Sequence, residues 1–364
     1  MTRSWLFVPL ALLLAFVTAC GGSGPSQPAS TSDAPEAGAA DSPQTEDSVV
    51  NVYSARHYDT DDQVFGAFEE ETGIKVHIVE GDSAALLERL RREGEESPAD
   101  LFIAVDAGRL FHAEQAGIFD SVTSEILEER IPASLRHPEG LWFGLTKRAR
   151  VIVYAKDRVE AGEINTYEDL ADPKWQGRVL IRSSSNVYNQ SLMGAMVAAH
   201  GEPAAEEWCK GLVANLARKP QGGDRDQVRA VAAGEGDVAV VNSYYLAQMI
   251  AATDKPEDQA AAAAVGIVFP NQGDRGTHVN ISGAGVVRGA PHRQNAIRLL
   301  EYLTGADAQA IFAGGNKEYA VVDGYAAVPE LEGFGEFQED SVNASVFGSS
   351  GQQALRMMDR CGWR

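Results

Sequence analysis

Val49-Val50-Asn51-Val52-Tyr53 is a short β-branched run, and the fifty residues after it decide the fold. A polar turn leads to a helical pattern from Asp61 to Glu71 that stops at Gly73. Then come Lys75 to Val79 as strand, Ser83 to Glu93 as helix, Ala99 to Val105 as strand and Ala107 to Ala116 as helix. The apolar period alternates between that of a strand and that of a helix. This βαβα order predicts a parallel sheet covered on both faces, an α/β fold.

The pattern restarts after Arg150. Val151 to Tyr154 is apolar, Arg178 to Ile181 reads as a strand, and helices are predicted over Asn186 to Ala199 and Pro203 to Ala214. Asp226 to Ala233 reads as helix, Asp237 to Val241 as strand and Tyr244 to Ala251 as helix. His278 to Val287 reads as a long strand and Pro291 to Thr304 as an amphipathic helix. The chain has 364 residues, and a single core stops growing near about 250–300. Two α/β lobes sharing one continuous body are therefore expected, with Val151 to Lys156 and His278 to Val287 as the crossing strands. That makes 49–147 plus about 279–364 one lobe and 148–278 the other.

The residues before this body read differently. Met1 to Ala19 has one basic residue, Arg3, then an apolar run from Trp5 to Ala15 and a small-residue box, the pattern of a secretory signal peptide in 1–19. The box ends in Val17-Thr18-Ala19-Cys20-Gly21, which resembles a bacterial lipoprotein signal, and Cys20 is then the expected site of lipidation. Several acyl chains on that residue would anchor the chain to a membrane. The stretch 20–48 is Gly, Ser, Pro, Ala and acid without an aromatic, Lys or Arg, so it reads as a flexible linker.

Charge removes other classes. The chain carries 52 acidic and 31 basic residues, a formal −21. Five of those acids and one base precede Val49, so the body still carries −17. No nucleic-acid partner is expected, because phosphate binding needs clustered Lys and Arg. Three cysteines and no CxxC pair argue against a disulfide scaffold or a zinc site. No GxSxG, HExxH or P-loop is present, and Gly283-Ala284-Gly285 is only a fragment of a dinucleotide fingerprint. An enzyme is not expected.

In open α/β sheets ligands sit beyond the carboxyl ends of the strands, which here means the cleft between the lobes. The first strand is followed by Ser54-Ala55-Arg56-His57-Tyr58-Asp59. The strand ending at Ile181 is followed by Arg182-Ser183-Ser184-Ser185-Asn186-Val187-Tyr188, and the one ending at Val241 by Asn242-Ser243-Tyr244-Tyr245. Three junctions thus carry four of the ten tyrosines and a histidine, although tyrosine is not a turn residue by preference. A lone tyrosine there is more often a half-buried wall residue; the case for a site rests on recurrence. Phenolates are hard anionic donors suited to ferric iron, and helix N-termini favour the negative charge. Four phenolates on Fe(III) leave one negative charge, for which Arg56 is the nearest counter-ion in sequence, with Arg182 and Arg225 as alternatives.

The same segments resemble the ferric-iron-binding periplasmic proteins of bacterial ABC importers, most closely the cyanobacterial-type subgroup of the class II solute-binding fold. The residues that carry the resemblance include Val52-Tyr53-Ser54-Ala55-Arg56-His57-Tyr58, Trp142-Phe143-Gly144-Leu145 and Gly222-Gly223-Asp224-Arg225-Asp226. Gly234-Glu235-Gly236-Asp237, Asn242-Ser243-Tyr244-Tyr245 and Asn280-Ile281-Ser282-Gly283 extend it over nearly all of 49–364. The resemblance implies Fe(III) as transported ligand, held by Tyr244, Tyr245 and Tyr188 from one lobe and His57 and Tyr58 from the other. It also implies delivery to an ABC permease with its ATPase subunit, an extracytoplasmic location and a monomer. Cys209 and Cys361 are not part of the motif, and spacing leaves their pairing open.

Two other ligands of the same fold remain in view. An anion could use the helix N-terminus with Ser183 to Ser185, and a polyamine could use Asp59, Asp224 and Asp226. Neither accounts for four tyrosines.

Overall fold

The computed structural model describes residues 48–56, 58–322, 324 and 328–364. The expected signal peptide, Cys20 and His57 lie outside the described residues, as does the linker up to residue 47.

The first βαβα stretch folds as its periodicity dictates. Strand β1 (Val49–Ser54) leads to α1 (Asp59–Thr72), β2 (Lys75–Glu80), α2 (Ser83–Glu93), β3 (Leu101–Val105) and α3 (Ala107–Gln115). Helix α1 begins with Asp59, Asp61 and Asp62 in its first turn, where acids offset the helix dipole. It ends at Gly73, whose φ of 73° is the left-handed conformation that glycine supplies without strain. After α4 (Glu125–Arg130) the chain enters β4 (Phe143–Ala155), then β5 (Val179–Leu180), α5 (Val187–Ala214), α6 (Asp224–Ala232), β6 (Val238–Asn242), α7 (Ser243–Ala251) and α8 (Pro256–Ala264). β7 (Val265–Val268), β8 (Val279–Val286), α9 (Arg293–Leu303), α10 (Ala306–Asn316), β9 (Tyr319–Ala320), α11 (Pro329–Glu332), α12 (Ser345–Ser349) and α13 (Gly351–Cys361) complete it.

The sheet is mixed, not wholly parallel as the βαβα order predicts. Its order is β2-β1-β3-β8-β4-β6-β5, with β7 and β9 each on β4. The pairs β1–β2, β1–β3 and β5–β6 are parallel, whereas both β3 and β4 meet β8 antiparallel. The antiparallel contacts come from the crossing strands, which return against the winding of the βαβ units. β4 pairs with β8 from Phe143 to Ala149 and with β6 from Arg150 to Tyr154, so one strand serves both halves of the fold. It starts eight residues before the predicted crossing strand, because Thr146-Lys147-Arg148 interrupt the apolar pattern although Thr146 and Arg148 are buried.

The two predicted helices 186–199 and 203–214 form one helical run with a break at Gly201 (φ 74°, ψ 165°). One buried cluster runs from Val52, Phe68 and Leu101 through Phe143 to Val241. A second gathers Ile152, Trp175, Leu192, Trp208, Val240 and Trp363. The C-terminal return divides between them. α9 and α10 pack with β1, β8 and α1, whereas α13 lies against α5 and buries Met357 and Met358 in the second cluster. Among the described residues no helix is long and apolar enough to cross a membrane.

Gly283-Ala284-Gly285 lies in the middle of β8, and its glycines serve close packing. A Cβ at Gly283 would stand 2.7 Å from the Phe143 carbonyl oxygen of β4 and 2.7 Å from Leu110. Gly283→Val should therefore destabilise the protein by about 1–3 kcal/mol through overpacking, read as a lower urea midpoint with an unchanged slope.

Candidate metal centre

Each strand-to-helix junction is built so that a tyrosine faces the same interior space. After β1, Ser54 Oγ accepts from the Arg56 amide at 3.1 Å and donates to the Arg56 carbonyl at 2.9 Å, closing a tight turn. Tyr58 then stands as the residue before α1, in extended conformation. Before α5, Asn186 accepts from the Tyr188 amide at 3.2 Å, the ordinary cap that fixes the first turn and the residue it carries. After β6, α7 opens directly with Ser243, Tyr244 and Tyr245.

These junctions bring the phenols together. The hydroxyls of Tyr188 and Tyr244 lie 3.3 Å apart, and the Tyr244 and Tyr245 rings pack at 4.1 Å between centroids. Tyr244 is 1% exposed. Ionisation of Tyr58 is opposed by Tyr245, that of Tyr188 by Tyr245 and Tyr58, and that of Tyr244 by all three others. Four side chains from three distant segments thus lie near enough to feel one another's charge. His57 precedes Tyr58 in the chain but lies outside the described residues.

Burial is the first cause of the phenols' reluctance to ionise. It pushes Tyr58 up to about 12, with Glu318 adding to the effect, and raises Tyr188 and Tyr244 as well. Arg148 works against it. This residue of β4 is buried, donates from Nη2 to Ser282 Oγ at 3.0 Å, and lies 3.6 Å from Glu318. Its charge lowers the cost of ionising Tyr58, Tyr188 and Tyr244. Arg148 Nη1 is buried without a hydrogen-bond partner, an N–H that a phenolate next to it would satisfy.

The arginines expected as counter-ions each lie over a tyrosine ring and are tied to other groups as well. Arg56 is buried, donates to Asp61 at 3.0 Å and to Thr146 at 3.1 Å, and lies 3.3 Å from Glu318. Its guanidinium sits 4.7 Å over the Tyr58 ring and 4.5 Å over Phe312. It orients Tyr58, but two carboxylates already neutralise it. Arg182 lies 5.6 Å over the Tyr188 ring and 3.4 Å from Asp224. Arg225 lies 5.1 Å over the Tyr245 ring and donates to Gln248. Arg150, which sequence reasoning missed along with Arg148 and Glu318, donates to Asp224 at 2.8 Å and to Asn189 at 2.7 Å. Asp224 thus serves two arginines, so the ion-paired shell of Arg56, Arg148, Arg150 and Arg182 against Asp61, Glu318 and Asp224 has one positive charge in excess. The available signal was Lys147-Arg148-Ala149-Arg150, a basic run on a strand of an acidic chain.

A cavity of about 320 Å³ opens onto Tyr58 and Tyr188 and is also lined by Asp82, Ser83, Arg109 and Val187. Among the described residues, hydrogen bonds join the halves that these tyrosines come from. Ser191 of α5 donates to Asp106 at 2.8 Å, and Gln248 of α7 donates to the Asn316 carbonyl at 3.0 Å. Among the described residues no group of three His, Cys, Asp or Glu side chains is arranged to hold a metal ion, so the tyrosines are the cluster to explain.

Residues 96–333 match the model of a family described as bacterial extracellular solute-binding protein. The chain belongs to that family. It is 48% identical over 335 residues, 92% of each chain, to iron uptake protein A1 of Synechocystis sp.. It is 28% identical over 318 residues, 87% of this chain and 91% of the other, to an Fe(3+)-binding periplasmic protein of Serratia marcescens. A Trichodesmium protein solved in complex with iron and citrate ligands superposes with a TM-score of 0.85 at 53% identity, covering 87% of this chain and 100% of that one. The family membership and the two-lobe solute-binding fold expected from the motifs are thereby established, and these relatives are named for iron uptake and binding, not for catalysis.

Arg148→Met tests the electrostatics of the cluster. Removing the cation disfavours the phenolates, so the apparent phenol pKa should rise. The tyrosinate absorbance band followed against pH in the unloaded protein checks this.

Proposed function

We propose that the chain is the extracytoplasmic solute-binding component of an iron ABC importer, which holds Fe(III) through the phenolates of Tyr58, Tyr188, Tyr244 and Tyr245 with His57, and delivers it to a permease. The observation that carries this reading is the convergence of four phenols from three strand-to-helix junctions. The names of the relatives support it. In the same reading Cys20 carries a lipid anchor, the ATPase subunit works through the permease, and the binding protein acts as a monomer.

The chemistry follows from the donor set. Fe(III) is a hard ion, and a coordinated cation of high charge displaces a phenolic proton that water would leave in place. With four phenolates the ligand set keeps one net negative charge, matched by the one positive charge in excess among the ion-paired arginines. Tyr188, Tyr244 and Tyr245 lie on elements of the second half and Tyr58 on the first, joined by β4 and β8 as crossing strands. A metal that meets all of them stabilises the arrangement in which the halves are together, and this differential contact drives closure. The proposed lobe boundaries, 49–147 with about 279–364 and 148–278, place the join where β4 passes from β8 to β6, with α13 packed on the second lobe.

The polyamine alternative is weakened by what its acids do. Asp224 is taken up by Arg150 and Arg182, and Asp226 accepts from the Gly223 amide at 2.7 Å and pairs with Arg229 at 2.9 Å. The serines of the anion alternative are turned on their own loop, with Ser185 donating to Ser183 Oγ at 3.1 Å.

Titrating the protein with a chelated ferric salt should produce a visible phenolate-to-iron charge-transfer band, diminished in Tyr244→Phe and Tyr245→Phe. Because the phenols start protonated, binding expels protons, and affinity should fall about tenfold per proton released for each pH unit of acidification. A colourless protein whose thermal stability is unchanged by iron would remove this function.

A further inference from the structure

The described residues include two cysteines, both unbridged: Cys209, buried in α5 beyond the break at Gly201, and Cys361, the last residue of α13 and partly exposed. They are about 150 residues apart in sequence, yet both lie in the one cluster formed where α13 packs on α5. Cys361 Sγ also faces the Glu206 carbonyl at 3.6 Å. The contact is held by regular structure on both sides. Arg360 pairs with Glu206 at 2.6 Å, the Trp208 and Trp363 rings meet edge to face at 6.5 Å, and Met357, Met358 and Trp363 are buried in the same cluster as Trp175. Two helices packed this way hold the Cys361 thiol against the carbonyl of Glu206, three residues before Cys209 on α5, which loops would not.

The place matters for the metal centre. Trp363 Nε1 donates to the Arg182 carbonyl at 2.9 Å, and the same carbonyl accepts from Asn189, which in turn holds Arg150. The end of the C-terminal arm therefore supports the loop that leads to Tyr188. Just before α13, α12 packs against both α3 and α5, so the arm touches both halves of the fold before it ends at Cys361.

We propose that Cys209 and Cys361 become joined as a disulfide once the chain is outside the cytoplasm, clamping the C-terminal arm to α5 behind the tyrosine-bearing helix start. The inference rests on the extracytoplasmic placement of the preceding section and not on the metal. The oxidant is a reactive protein disulfide of the extracytoplasmic thiol-oxidase class, for which oxidised glutathione substitutes in vitro. Cys361, the more accessible, attacks one sulfur of that disulfide as thiolate, forming a mixed disulfide and releasing one thiolate. Cys209 then attacks Cys361 Sγ and releases the second. One S–S bond forms and one breaks, and the two thiol protons and the electron pair end on the oxidant's two sulfurs. Burial raises the pKa of both thiols, so the exchange depends on a strong oxidant more than on ambient oxygen.

The full chain, exported with its own leader and digested without reduction, provides the test. Trypsin cuts after Arg182, Lys210 and Arg360. The clamp predicts a cross-linked species of 183–210 with 361–364, two hydrogens lighter than the sum of the parts and lost on reduction. Reduction and alkylation should lower the melting temperature by roughly 4–10 °C, a shift that Cys361→Ser abolishes. Recovery of both peptides as free alkylated thiols after treatment with oxidised glutathione, or a melting temperature indifferent to reduction, would overturn the proposal. The iron band should develop with oxidised and reduced protein alike, so loss of that band reports on the metal reading and not on the clamp.

Discussion

Two phenol oxygens 3.3 Å apart, on Tyr188 and Tyr244, set the terms for the structure around them. Neutral phenols this close can share a hydrogen bond, but two phenolates cannot remain so without a cation between or beside them. Burial adds to that penalty by removing water from both. In the proposed function the site rests as protonated phenols in the unloaded protein and becomes an anionic cage only when a strongly charged ion displaces the protons. On that proposal, selectivity for a hard, high-charge ion would follow from the cost of ionisation, since a weaker Lewis acid could not meet it.

The rest of the fold holds this balance. Strand ends place the tyrosines at helix starts, where the dipole favours the negative form. β4 carries Arg148 and Arg150 on its buried side, between the sets of strands that supply the phenols. Glu318 restrains both Arg148 and Arg56, and Asp224 restrains Arg150 and Arg182. A shell with fewer carboxylates would favour the phenolates further, and one with more would oppose the proposed metal-loaded state.

Much of this was legible in the amino-acid order. The alternation from Val49 to Ala116 gives β1 to α3 with boundary errors of one or two residues, because apolar period and caps agree there. The recurrence of tyrosine after three strands marks the pocket without any knowledge of distance. The charged part of the site was not legible in the same way. Arg148 lies in a polar stretch that conceals the start of β4, and Glu318 meets it from 170 positions further along the chain, a contact that only the tertiary fold determines. Arg56 was expected as the nearest counter-ion, and its guanidinium lies over the Tyr58 ring, but its pairing with Glu318 comes from a residue just as distant in sequence. The packing of α13 on α5 was hidden because an amphipathic helix does not say which face of which neighbour it covers.

The proposed metal centre requires that a single ion touch these side chains at once. Anomalous diffraction at the iron edge from crystals of the iron-loaded protein measures this directly. One peak is expected in the cleft, at bonding distance from the phenol oxygens of Tyr58, Tyr188, Tyr244 and Tyr245. A peak elsewhere, or one bonded to carboxylates with the tyrosine hydroxyls turned away, would contradict it.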